Sequence, residues 1–81
     1  MTESWILMEV DVHLFSTLQK KRFREARIQL QEGACITDLL SLLSISSDDV
    51  GILIVNNQDA TFDQPLNEGD AVTIIPPIGG G

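Results

Sequence analysis

From Met8 the chain alternates. Met8, Val10, Val12 and Leu14 are apolar, and Glu9, Asp11 and His13 between them are polar. A period of two marks a strand with one face buried. The same period returns at Ala26, Ile28 and Leu30, set against Arg27, Gln29 and Gln31. The polar, basic stretch 16–24 between the two runs predicts a hairpin connection. Past Glu32 and Gly33 the period changes. Ile36, Leu39, Leu40 and Leu43 recur at helical spacing and form one apolar stripe. Thr37 is the expected cap, Asp38 suits the positive end of the helix dipole, and the polar run Ser44 to Asp49 ends the helix.

Gly51 opens a third strand, Ile52 to Asn56, whose unbroken apolar run predicts burial on both faces or a central place. Asn57 to Asp59 reads as a turn and Thr61-Phe62 as a very short strand. Two further turn signals lie at Asp63-Gln64-Pro65 and Asn67 to Asp70. Ala71 to Ile75 is the last strand. Pro76 and Pro77 end it, because neither can donate to a ladder. One amphipathic helix needs one apolar sheet face to lie on. The order of elements therefore predicts an α+β fold, a mixed sheet of four or five strands wrapped around one main helix. Residues 1–81 are expected to form a single domain. Residues 1–7 would be an N-terminal extension, with polar residues 1–4 and a strand extension at Trp5 to Leu7, and residues 76–81 an exposed C-terminal tail.

Composition narrows the function. An 81-residue chain that is 43% hydrophobic supports one packed core but no deep catalytic cavity. The net charge of -7 argues against nucleic acid as a partner. All five basic residues, Lys20, Lys21, Arg22, Arg24 and Arg27, fall within one short segment, which reads either as a solvated loop or as a steering patch for an acidic partner surface. The apolar run Trp5 to Met8 is too short to span a membrane. Cys35 is the single cysteine, so no internal disulfide forms. That suits a reducing compartment, and a cytoplasmic location is expected.

No active site assembles from the residue types present. His13 lies on the polar side of a strand, with no cysteine or second histidine near it to make a metal set. Cys35 reads as a small buried hydrophobe or as a thiol at a helix N-terminus. Ser41, Ser44, Ser46 and Ser47 lack a nucleophile elbow. No helix follows the closing glycines to make them a phosphate loop.

What remains is the end of the sequence, IIPPIGGG. The last strand anchors Ile74 and Ile75. Pro76 and Pro77 hold the chain extended as it leaves the sheet. After Ile78, the residues Gly79, Gly80 and Gly81 carry no side chains. Such a segment is thin enough to enter a narrow channel, and no Cβ shields the final carboxylate from a phosphate or a sulfur nucleophile. The composition suits a protein whose own C-terminus is a substrate.

The segments DVHLFSTL, ITDLLSLL, IVNNQ and DQPLNEGDAVTIIPPIGGG, in this order and spacing, resemble the ubiquitin-like sulfur carriers of the MoaD/ThiS type. That family includes the small subunit of molybdopterin synthase and the thiamine-pathway sulfur carrier. The resemblance covers residues 8–81 and implies a β-grasp fold. It implies that Gly81 is the site of covalent attachment. An ATP-dependent, E1-like adenylyltransferase would adenylate its carboxylate, and sulfur from a persulfide or sulfide would replace AMP to leave a thiocarboxylate. A sulfur-accepting synthase, or a larger synthase subunit, would then use it. The carrier would bind no cofactor or metal of its own and perform no catalysis, at most serving as the non-catalytic small subunit of a sulfurtransferase. The two prolines and LFSTL lean toward the molybdopterin branch, with thiamine next. Gln19 and Lys20 stand where the family often has an arginine, and Asp59 where it often has an apolar residue. Two other functions fit: a protein modifier joined to lysines through Gly81, and a non-covalent β-grasp binding module.

Alternation also predicts a partner face. If Val10, Val12 and Leu14 face the helix, Phe15 faces away from it. If Val72 and Ile74 face in, Ile75 faces out beside the tail. Phe15 and Ile75 are the expected anchors for the activating enzyme.

Overall fold

The computed structural model describes residues 6–77. Trp5 and the tail residues Ile78, Gly79, Gly80 and Gly81 lie outside them, as do residues 1–4. Five strands form one mixed sheet: β1 (Leu7–Leu14), β2 (Glu25–Gln31), β3 (Ile52–Val55), β4 (Gln58–Asp59) and β5 (Ala71–Ile75). Their spatial order is β2-β1-β5-β3-β4. β1 pairs antiparallel with β2 and parallel with β5. β3 pairs antiparallel with both β5 and β4. The strand that leads to the tail therefore sits in the middle of the sheet.

A single helix, α1 (Ile36–Leu43), covers one sheet face. Val10, Val12, Leu14, Val72 and Ile74 from the sheet and Ile36 and Leu39 from α1 are all buried to within 1% of completely. They form one core with Met8, Leu30, Leu53, Val55, Leu40, Ile45, Leu18 and Leu66. The register puts Val12 beside Val72 and Leu14 beside Ile74, so β1 and β5 interlock on the helix side.

Three expectations need correction. The helix begins one residue after Cys35, not at a Thr37 cap. Cys35 N–H donates to Asp38 Oδ2 at 3.0 Å. The next two backbone donors, of Ile36 and Thr37, reach the carbonyls of Gln64 and Phe62. The first-turn N–H groups are thus satisfied largely by a distant loop, and the Thr37 hydroxyl donates to Phe62 O at 2.8 Å instead of capping.

The short strand is Gln58–Asp59, not Thr61-Phe62. Val55 pairs with Gln58, and Asn56 and Asn57 between them both have positive φ, 53° and 69°. This is the backbone of a two-residue hairpin turn, which asparagine tolerates. The chain therefore reverses one residue earlier than expected. Third, β3 has the expected place inside the sheet, between β5 and β4, but it is buried on one face only. Leu53 and Val55 are in the core, while Ile52 is 40% exposed on the other side.

Part of the basic segment is structural. The Arg22 guanidinium donates to Leu43 O at 3.0 Å, to Ser44 O at 3.0 Å and to Leu18 O at 3.1 Å. It closes the C-terminal end of α1, where carbonyls lack partners and positive charge is favoured. Ser44 ends the helix in a left-handed conformation, φ 59°.

Candidate functional site

Ile74 is fully buried and fixes the level of β5. Phe15 N–H donates to Ile74 O at 3.2 Å and Gly51 N–H donates to Ile75 O at 2.7 Å. These are the last ladder bonds on each side of β5. Pro76 and Pro77 follow, and with no N–H to offer they release the chain from the middle of the sheet. The C-terminal segment thus departs between β1 and β3.

The face away from α1 has two halves. On β1 and β2 it is charged. Arg27 Nε donates to Asp11 Oδ1 at 3.2 Å and Arg27 Nη1 lies 3.8 Å from Glu9 Oε1. The hydrogen bond and charge of Asp11, then the charge of Glu9, raise the Arg27 pKa above its ordinary value. His13 Nε2 lies 3.6 Å from Glu25 Oε2. On β3 and β5 the face is apolar. Ile75 pairs with Ile52, and Ile54 pairs with Thr73. Phe15 follows Leu14, the partner of Ile74, and so occupies the same level as Ile75. Phe15 is 47% exposed and Ile52 is 40% exposed, with Ile75 and Ile54 half-buried beside them.

The structure therefore brings Phe15, Ile75, Pro76 and Pro77 together at one end of the sheet and adds Ile52 and Ile54, which sequence reasoning did not select. Asp59 pairs with Ile54 at the rim of this patch. Gln19 Nε2 donates to Leu14 O at 2.9 Å, so Gln19 has a structural task here. Arg24 lines a shallow hollow of 280 Å³ beside Phe15, together with His13 and Gln19. Among the described residues, no acid lies within ion-pair distance of Lys20, Lys21 or Arg24.

The other candidates do not converge. Cys35 is half-buried, with its thiol 3.5 Å from Asp38 Oδ2 at the start of α1. No cluster of three metal-ligating side chains occurs among the described residues. No helix among them is long and apolar enough to cross a membrane. A larger groove, 520 Å³, lies at the far end of β1 between Leu7, Leu30 and Leu42, away from the tail.

A family model decides which lineage this arrangement represents: the ThiS family model matches residues 12–81, from within β1 through the closing glycines. The chain belongs to the ThiS family. Solved structures share its fold. The putative molybdopterin converting factor, subunit 1, from Pyrococcus furiosus superposes with a TM-score of 0.72 at 24% identity, covering 88% of this chain and 99% of that one. Small archaeal modifier protein 1 of Haloferax volcanii gives 0.74 at 18% identity, with coverage of 88% and 99%. A chain from the complex of subunits 1 and 2 of the molybdopterin-converting factor of Helicobacter pylori 26695 gives 0.57 at 21% identity, with coverage of 91% and 100%. No curated protein sequence matches at a significant level. The five-stranded sheet and its helix α1 are thus the β-grasp, ubiquitin-like fold that these structures share.

Proposed function

We propose that this ThiS-family chain is a cytoplasmic sulfur carrier whose reacting group is the carboxylate of Gly81. An E1-like adenylyltransferase joins that carboxylate to AMP from ATP and releases pyrophosphate. Hydrosulfide then displaces AMP and leaves the thiocarboxylate. With a persulfide donor the first product is an acyl disulfide, which a further thiol cleaves to the thiocarboxylate. The charged carrier gives its sulfur to a synthase that makes a sulfur-containing cofactor, with molybdopterin favoured over thiamine. The carrier itself supplies presentation: a fixed root, an extended diproline, and glycines that leave the acyl carbon uncovered.

The observation that carries this reading is the exit of β5 from the centre of the sheet into Pro76 and Pro77, within a family match that runs through Gly81. Phe15, Ile52, Ile54 and Ile75 surround that exit, and a compact apolar patch with a polar rim is what a partner's surface recognises. Phe15 and Ile75 are the proposed anchors for the activating enzyme, with Lys20, Lys21 and Arg24 steering its acidic surface toward them.

The fold shared with the small archaeal modifier protein supports a second reading, in which Gly81 forms isopeptide bonds with lysines. Mass spectrometry of the chain purified from its host separates the two. Sulfur carriage replaces one oxygen of the carrier by sulfur. Modification leaves glycine remnants on the lysines of other proteins and no thiocarboxylate on this chain.

A further inference from the structure

Two of the three described glycines have a conformational reason to be glycine: Gly33 and Gly69 have φ of +94° and +83°, with open space where a side chain would stand. Gly51 is the opposite case. Its φ is not in the left-handed region, so a positive φ is not what calls for glycine here. What it lacks is room. A Cβ at residue 51 would lie 2.6 Å from Pro77 Cα, 2.7 Å from Pro77 N and 2.8 Å from Pro76 C. All three atoms are backbone, and they belong to the diproline that leads to the tail.

We propose that Gly51 is a positioning residue that sets the direction in which the C-terminal segment leaves the sheet. Its N–H holds Ile75 O at 2.7 Å, and its bare Cα lets the next two residues pass directly over it. Pro76 and Pro77 have φ fixed by their rings, so they cannot bend locally around an obstacle. A methyl at residue 51 must tilt the diproline as a unit, away from β3. Four residues follow Pro77, each spanning up to ~3.5 Å when extended. A displacement of about 1 Å at the diproline therefore moves the origin from which the Gly81 carboxylate must reach its partner. Misplacement of a reacting group by that much is enough to cost about 100-fold in rate. The geometric claim stands on the contacts of Gly51, and only its consequence for charging rests on the sulfur-carrier reading.

The test compares wild type, Gly51→Ala and Pro77→Ala. Alanine at 51 keeps the N–H to Ile75 and adds only the methyl. Alanine at 77 leaves Gly51 bare but frees the φ of residue 77, and it keeps the test decisive if Gly51→Ala does not fold. In NMR of the free chain, wild type should give a contact between the Hα protons of Gly51 and Pro77. In Gly51→Ala that contact is lost and shift changes concentrate in residues 76–81, while the cross-strand contacts of Ile75 with Ile52 and of Ile54 with Thr73 persist. In ATP–pyrophosphate exchange with the host's purified E1-like adenylyltransferase, Gly51→Ala should lower kcat about 100-fold and leave KM within about twofold, because the docking patch is untouched. Pro77→Ala should lower kcat by less. Wild-type kcat in both variants overturns the positioning role, as does a Gly51→Ala spectrum with an unmoved tail. Exchange absent with wild type itself overturns the sulfur-carrier reading instead, and the NMR comparison then judges Gly51 alone.

Discussion

The two ends of β5 are built in opposite ways. At its start, order comes from side chains. Asp70 is buried, and its carboxylate accepts from Asn56 Nδ2 and from Asn67 N–H, each at 2.8 Å. Asn56 Oδ1 in turn accepts from Ala71 N–H at 2.9 Å, and Asp11 N–H donates to Asp70 O at 2.9 Å. The β3–β4 turn, the 67–70 turn and the first residue of β5 are thereby tied together. At its end, four residues later, two backbone bonds remain and then two prolines offer none. One end is fastened so that the other can be let go at a defined point. A tail rooted in a loose strand would spread its carboxylate over a wide volume, whereas one rooted here starts from a fixed Ile75.

The contrast can be broken at either end. Removing Gly80 and Gly81 should abolish charging by the activating enzyme while the melting temperature stays that of wild type; retained charging measured by pyrophosphate exchange refutes a functional tail. Asp70→Ala strikes the fastened end. It strips Asn56 and Asn67 of a buried acceptor and should cost about 3 kcal/mol in urea unfolding. A loss under 1 kcal/mol would mean that water replaces the carboxylate. Phe15→Ala acts beside the free end. It should weaken binding of the activating enzyme by about 2 kcal/mol with unfolding little changed; an unaltered dissociation constant by calorimetry removes Phe15 from the interface. Arg22→Gln acts on the end of α1 and on neither end of β5 directly, and so sharpens the comparison. Loss of three exposed or partly exposed hydrogen bonds at the end of α1 should cost about 1 kcal/mol of stability and leave charging kinetics as they were.

The sequence carried most of the fold where a pattern repeats locally. β1 and β2 were legible because one side of each is charged, so the period of two stands out. β3 was not, because Ile52 and Ile54 make its open side apolar too. Four consecutive hydrophobes erase the alternation, and with it the sign that half of them belong to a surface patch. The hairpin at Asn56 and Asn57 carries its signal in asparagine's tolerance of positive φ, but the polar run Asn57 to Asp59 places the expected turn one residue too far along. Thr37 was the better cap by residue type. Cys35 took the position because Gln64 and Phe62, far along the chain, supplied acceptors for the first turn. The same holds for Arg22, two of whose three partners lie 21 and 22 residues away, and for Gly51, whose neighbours are Pro76 and Pro77. Among the candidate site residues, Phe15 and Ile75 could be selected by alternation alone. Ile52 and Gly51 required knowing that β3 lies beside β5.

Because β1 lies parallel against β5 at the heart of the sheet, β1 pairs at once with β2 but meets its second neighbour only after residue 75 has emerged. Until then the inner faces of β1 and α1 have no complete cover, and the hairpin made by the first two strands must wait with its oily side bare. Assembly of the body and delivery of the diproline become one event. A chain that stops short of residue 75 has neither a finished core nor a root for the segment that follows.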